Sequence, residues 1–103
     1  MTDDFWPEVL QAVPGEDFTV YAYFNDGTIH LADIKPLIAK GGVFAPLADE
    51  KFFRERLTVM NRAVAWDITG TWDPTQCVDL DPLKMYLTTP KVPDPLEEPQ
   101  ANQ

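Results

Sequence analysis

Residues 18–34 read FTVYAYF-NDG-TIHLADI, and this stretch decides the fold. Phe18 to Phe24 is β-branched or aromatic almost throughout. Such side chains sit well on a pleated surface and crowd a helix. Asn25-Asp26-Gly27 then supplies residues that tolerate the positive φ of a hairpin turn. Thr28 to Ile34 is the returning strand. Side chains alternate along a strand, so Ile29, Leu31 and Asp33 share one face and Thr28, His30, Ala32 and Ile34 the other. Both faces carry apolar residues, so the alternation alone does not choose the buried one.

Before this hairpin, Gly15-Glu16-Asp17 is a turn. Trp6 to Val13 carries Pro7 near its start and is followed by Pro14, which disfavours a helix and predicts a first strand. After it, Pro36 suits the first turn of a helix that Leu37 to Lys40 continues and Gly41-Gly42 ends. Val43 to Leu47 is an apolar connector. Asp49 is a good N-cap for a helix over Glu50 to Arg56. Leu57 to Met60 and Ala63 to Ile68 flank Asn61-Arg62 as a second hairpin. Thr69 to Gln76 holds Gly70 and Asp73-Pro74 and reads as loop. Cys77 to Leu80 is a short edge strand. Asp81 caps a last helix, with Pro82 in its first turn and Leu83, Met85 and Tyr86 along it.

The fold expected is α+β: a small antiparallel sheet built from hairpins, with two or three short helices packed on it. The chain has 103 residues, enough for one domain over residues 1–89. From residue 90 to 103 the character changes. Pro93, Pro95 and Pro99 mix with Asp94, Glu97 and Glu98, and few apolar residues remain to offset ordering entropy. This stretch reads as a disordered, proline-rich acidic tail.

Seventeen acidic residues against eight basic ones leave a net charge of −9. A nucleic-acid binder needs a basic stripe to meet phosphates. Here Lys51, Arg54, Arg56 and Arg62 are diluted by Asp49, Glu50 and Glu55, so direct DNA or RNA binding is not expected. No apolar run approaches the roughly 18 residues that a membrane span needs. Met1 to Pro7 has two acidic residues and no basic one, the reverse of a secretory signal, so a cytoplasmic protein is expected. Cys77 is the only cysteine, which agrees with a reducing compartment.

The residues that carry chemistry are few. His30 is the only histidine and the chain has no serine, so a Ser–His pair is absent. His30 is expected at a sheet surface. One His and one Cys do not make a zinc site, which takes three or four ligands. Asp79-Leu80-Asp81 places two carboxylates on one face of an extended segment, a pairing that could hold a hard cation or do acid–base work. The alternative reading has Asp79 solvated and Asp81 serving as a helix cap. Gly41-Gly42 follows a helix, whereas a phosphate loop precedes one. Trp72, in a polar loop beside Asp73, is the tryptophan expected to be exposed and to mark a contact surface. No catalytic residue, metal ligand or cofactor site is assigned. Trp72, Asp79 and Asp81 are the candidate contact residues.

Several short strings recur in order: Asn25-Asp26-Gly27; Ile34-Lys35-Pro36-Leu37; Lys40 to Leu47 with Asp49 and Phe52-Phe53; Val64-Ala65-Trp66; and Asp79-Leu80-Asp81-Pro82 with Tyr86. Together they resemble the prokaryotic domain-of-unknown-function family 2442, over roughly Trp6 to Tyr86. The resemblance implies a compact α+β domain. It also implies an unsettled function: some relatives carry a C-terminal helix-turn-helix domain, and others look like partners of a second small protein in arrangements that suggest a toxin–antitoxin pair. Two departures stand out. Asp67 to Cys77 is a longer connection than the family's, and a proline-rich stretch stands where a DNA-binding domain would follow.

Two readings of function follow. The first is a non-catalytic interaction module, the acidic member of a pair with another small, basic protein. The second is a small-molecule-binding domain with a pocket between sheet and helices. Exposed sheet edges also make a homodimer an expectation.

Overall fold

The computed structural model describes residues 5–71 and 77–95. Its element order is β1 (Val9–Pro14), β2 (Thr19–Phe24), β3 (Ile29–Asp33), α1 (Lys35–Lys40), a 3-10 turn (Gly42–Ala48), α2 (Glu50–Arg56), β4 (Leu57–Met60), β5 (Ala63–Asp67), β6 (Cys77–Asp79), α3 (Pro82–Thr88) and β7 (Lys91–Val92). The class is α+β, as expected. The strands divide between two antiparallel sheets where one was expected: a four-stranded sheet in the order β1-β2-β3-β7 and a three-stranded sheet in the order β4-β5-β6.

The decisive hairpin forms with Tyr21 opposite Leu31 and Ala22 opposite His30. Gly27 takes φ +87°, and Asp26 Oδ1 accepts hydrogen bonds from both the amide and the hydroxyl of Thr28. Register also settles which face is buried. Val20, Ala22 and Phe24 of β2 point inward with His30 and Ala32 of β3, followed by Ile34. Tyr21, Tyr23, Ile29 and Leu31 form a half-exposed outer face.

The first strand starts three residues later than expected, and Pro7 lies outside it. Its register shifts between Val9 and Gln11, which leaves Leu10 as a bulge and exposed. Phe18 also leaves the strand assigned to it. It adopts φ +62°, uncommon for a bulky residue, and its ring packs edge-on against Phe53 at 5.3 Å. A Cβ at Gly15 would lie 2.4 Å from Thr19 Oγ1, so any side chain there would force Thr19 to move.

The second sheet follows its local signals closely. Asp49 caps α2 by accepting from the amides of Lys51 and Phe52. Asn61 and Arg62 both take positive φ, the turn that matches strand twist between β4 and β5. β5 is buried at all five positions. Trp66 is its anchor: its indole N–H donates to Phe53 O at 3.0 Å, and its ring lies 5.3 Å from that of Phe53.

The sheets meet along one side, where β1 lies against β4 and Val9 N–H donates to Arg62 O. On the other side, α3 connects β6 of the second sheet to β7 of the first. A core of Val9, Val20, Phe24, Ile34, Leu47, Phe53, Trp66 and Met85 fills the space between.

The expectation of a disordered tail from residue 90 needs correction as far as Pro95. Lys91 and Val92 pair with His30 and Ile29, Leu31 N–H donates to Pro90 O, and Tyr23 Oη donates to Asp94 Oδ1 at 2.6 Å. The proline spacing that argued against a packed segment suits a two-residue edge strand, which needs few free amides. Residues 96–103 lie outside the described part of the chain.

Candidate functional site

The seam bridged by α3 is not fully closed. A cleft of about 310 Å3 opens there, with its lining drawn from β3, α1, the end of β6 and α3. Its apolar surface includes the buried Ala32, Ile34 and Met85, with Leu37 and Leu80 beside them. Its polar groups are Asp33, Asp79, Asp81 and Lys84, with Thr88 and Thr89 at the end of α3. Three aspartates and one lysine thus border an apolar floor, and the Asp33 carboxylate is itself paired with Lys35.

Each rim group has a local reason for its place. Asp81 is the N-cap of α3 and accepts from the Leu83 amide at 3.0 Å. Spacings of four and three then carry Asp81, Met85 and Thr88 along one side of the helix. Asp33 ends β3 and accepts from the Lys35 amide. Lys35 Nζ sits 3.0 Å from Asp33 and 3.2 Å from Asp17. The Lys35 hydrogen bond holds the Asp33 carboxyl below its usual value, and Asp33 in turn raises the Lys35 ammonium. Asp79 is exposed, and its carboxylate makes no hydrogen bond or ion pair among the described residues.

The main chain at the seam is also open. Leu31 N–H points to Pro90 O, and Ile34 N–H points to Phe18 O. Alternation therefore turns the amide and carbonyl of Asp33 away from β2, beyond the last residues paired with β7. In β6, Leu80 N–H points back to Val64 O of β5. Asp79, one residue earlier, turns its amide and carbonyl to the outer edge.

His30 is not at a surface. It is 1 % exposed, because α3 and the residues after it cover the inner face of β3. Thr89 Oγ1 donates to Met85 O at 2.6 Å, so the His30 ring donates its Nδ1 proton toward Thr89 O and Oγ1, each at 3.1 Å. The ring packs between Phe24 and Tyr86, with centroids at 4.9 and 4.8 Å. It pins the cleft wall from behind and is not part of the cleft lining. Tyr86 Oη donates to Asp26 Oδ2 at 2.6 Å, tying α3 to the β2–β3 turn. Burial raises Asp26, but hydrogen bonds from Thr28 and Tyr86 outweigh it and hold the carboxyl below its usual value. The same bond from Tyr86 raises the phenol.

The structure brings Asp79 and Asp81 together at the cleft. Trp72 lies outside the described residues. Sequence reasoning missed Ala32, Ile34, Met85 and Thr89, whose convergence depends on α3 folding back over β3. The spacing of Asp81, Met85 and Thr88 was the available signal. Sequence reasoning also passed over Trp6, which is 63 % exposed, whereas Trp66 is fully buried. A second, shallower groove of about 500 Å3 runs over the outer face of the first sheet beside Tyr21, Leu31 and Arg54. Arg54 there donates to Gly15 O at 2.8 Å. Among the described residues no three His, Cys, Asp or Glu side chains converge as a metal site requires. No described helix is long and apolar enough to cross a membrane. The chain matches no family model, no curated protein and no solved structure.

Proposed function

We propose that this chain is a non-catalytic interaction module that takes a second small, basic protein, as the acidic member of a toxin–antitoxin-like pair does. The observation that carries this reading is the cleft at the α3 seam, where an apolar floor is rimmed by Asp33, Asp79 and Asp81. Apolar floors supply affinity and charged rims supply selection and on-rate. A net charge of −9 adds long-range attraction for a basic partner. Membership of family 2442 and a cytoplasmic location belong to the same reading. The α+β fold, the ordered motifs and the lone cysteine support them. The absence of catalysis rests on His30, which is buried behind the cleft with Nδ1 engaged.

Co-expression with the product of the adjacent gene tests it. The expected result is a stable complex that Leu80→Arg disrupts. Failure of the pure protein to associate with that product under any condition overturns the reading.

The cleft volume favours a second reading, a small-molecule site, since about 310 Å3 falls at the lower end of ligand pockets. A ligand raises the melting temperature by mass action, so a thermal-shift screen of metabolites separates the two.

A further inference from the structure

We propose that the seam cleft accepts an extended, lysine- or arginine-bearing segment of the partner, which adds to the outer edge of β6 as the next strand of the second sheet. The proposal deepens the interaction reading and rests on it. Three observations carry it together. The cleft has an apolar floor at Ile34, Leu80 and Met85. The Asp79 main chain faces outward at the edge of β6, and the Asp33 main chain faces the seam from β3. Strand addition draws its affinity from such unpaired edge groups, and its selectivity from the side chains that alternate beneath it. The rim then dictates those side chains. Asp79 and Asp81 have no basic partner among the described residues, and Lys84 is the only cation in the cleft lining. An alternating segment presents apolar residues to the floor and cations to the carboxylates. Lysine and arginine fit this rim, and glutamate does not.

The probe is a labelled Lys-Val-Lys-Val-Lys-Val peptide, read by fluorescence anisotropy at low and high salt. It is expected to bind at low salt and to weaken with salt. The Glu-Val counterpart is expected not to bind. A peptide N-methylated at alternate amides along the pairing edge is expected to bind at least about tenfold more weakly, because it cannot form the ladder. Asp79→Lys should also cost about tenfold in affinity without moving the melting temperature, since Asp79 is exposed and bonds to no described side chain. In amide NMR the Asp79 and Asp33 resonances should shift on binding. Absence of binding overturns the proposal, and so does binding indifferent to N-methylation or to Asp79→Lys. If the co-expressed partner holds the Asp79→Lys protein as tightly as the wild type, the strand-addition proposal falls while the interaction reading stands. If neither peptide nor partner binds, both fall.

Discussion

β3 and β5 are both five-residue strands in antiparallel sheets, yet they play opposite parts. β5 is buried at every position. Its Val64 and Trp66 enter the core, and Ala63, Ala65 and Asp67 on the other face are covered too. β3 alternates between buried and half-exposed residues and ends on an exposed aspartate at the cleft. The strand with no exposure has no surface left for recognition. The strand with one wet face and an incomplete edge can bind while its inner face still supports the fold. β5 thus serves the fold alone, whereas β3 also walls the cleft, across from Asp79 and Leu80 at the end of β6.

The comparison can be broken most forcefully at Trp66. Trp66→Ala removes the anchor of β5 and leaves Phe53 O without its indole donor. It should cost about 3–5 kcal/mol in urea unfolding, enough to unfold many domains of this size. Met85→Ala opens a site that already borders the cleft. It should cost about 2 kcal/mol, the lower end for such truncations, because less packing surrounds the lost atoms. A Met85 loss equal to that at Trp66 would show that the seam is as closed as β5. Asp49→Ala strips the cap from α2 and should cost about 1 kcal/mol by the same measurement.

A pH series sharpens the contrast further. Asp26 is depressed when folded, so its contribution is present above the ordinary carboxylate range and fades as pH falls through its folded value. Tyr86 is raised when folded, so its contribution is present below the ordinary phenol range and fades as pH rises through its folded value. The Asp26–Tyr86 bond that holds α3 thus works between those limits. Asp26→Asn should flatten the acid limb of melting temperature against pH, with the change in amide exchange centred on α3 and the Thr28 turn. The smallest effect belongs to Asp79→Asn, which should stay within about 0.5 kcal/mol of wild type. A larger loss would mean that the β6 edge is a structural element and not a free one.

Much of this architecture was legible in the sequence, for reasons that differ by element. The hairpin around Asn25-Asp26-Gly27, the Asp49 and Asp81 caps and the Asn61-Arg62 turn are local matters of dihedral preference and short-range hydrogen bonding. Each is written in neighbouring residues. The burial of His30 depends on Thr89, 59 positions away, and no local pattern encodes that distance. The same holds for β7, whose composition argues for disorder and whose pairing with β3 overrides it. At the site, Asp79 and Asp81 could be singled out as adjacent carboxylates. The apolar floor beneath them could not, because Ala32 and Ile34 reach it from a different sheet.

The late return of the chain to β3 bears on how this protein is made and trimmed. Until residues 89–92 have emerged from the ribosome, the first sheet has a bare edge and His30 Nδ1 lacks its Thr89 acceptors. A growing or shortened chain in that state offers a sticky template to its neighbours. Cutting at residue 89, where composition suggests the domain ends, would remove the strand that finishes the sheet and leave the β3 edge open to pairing with other copies.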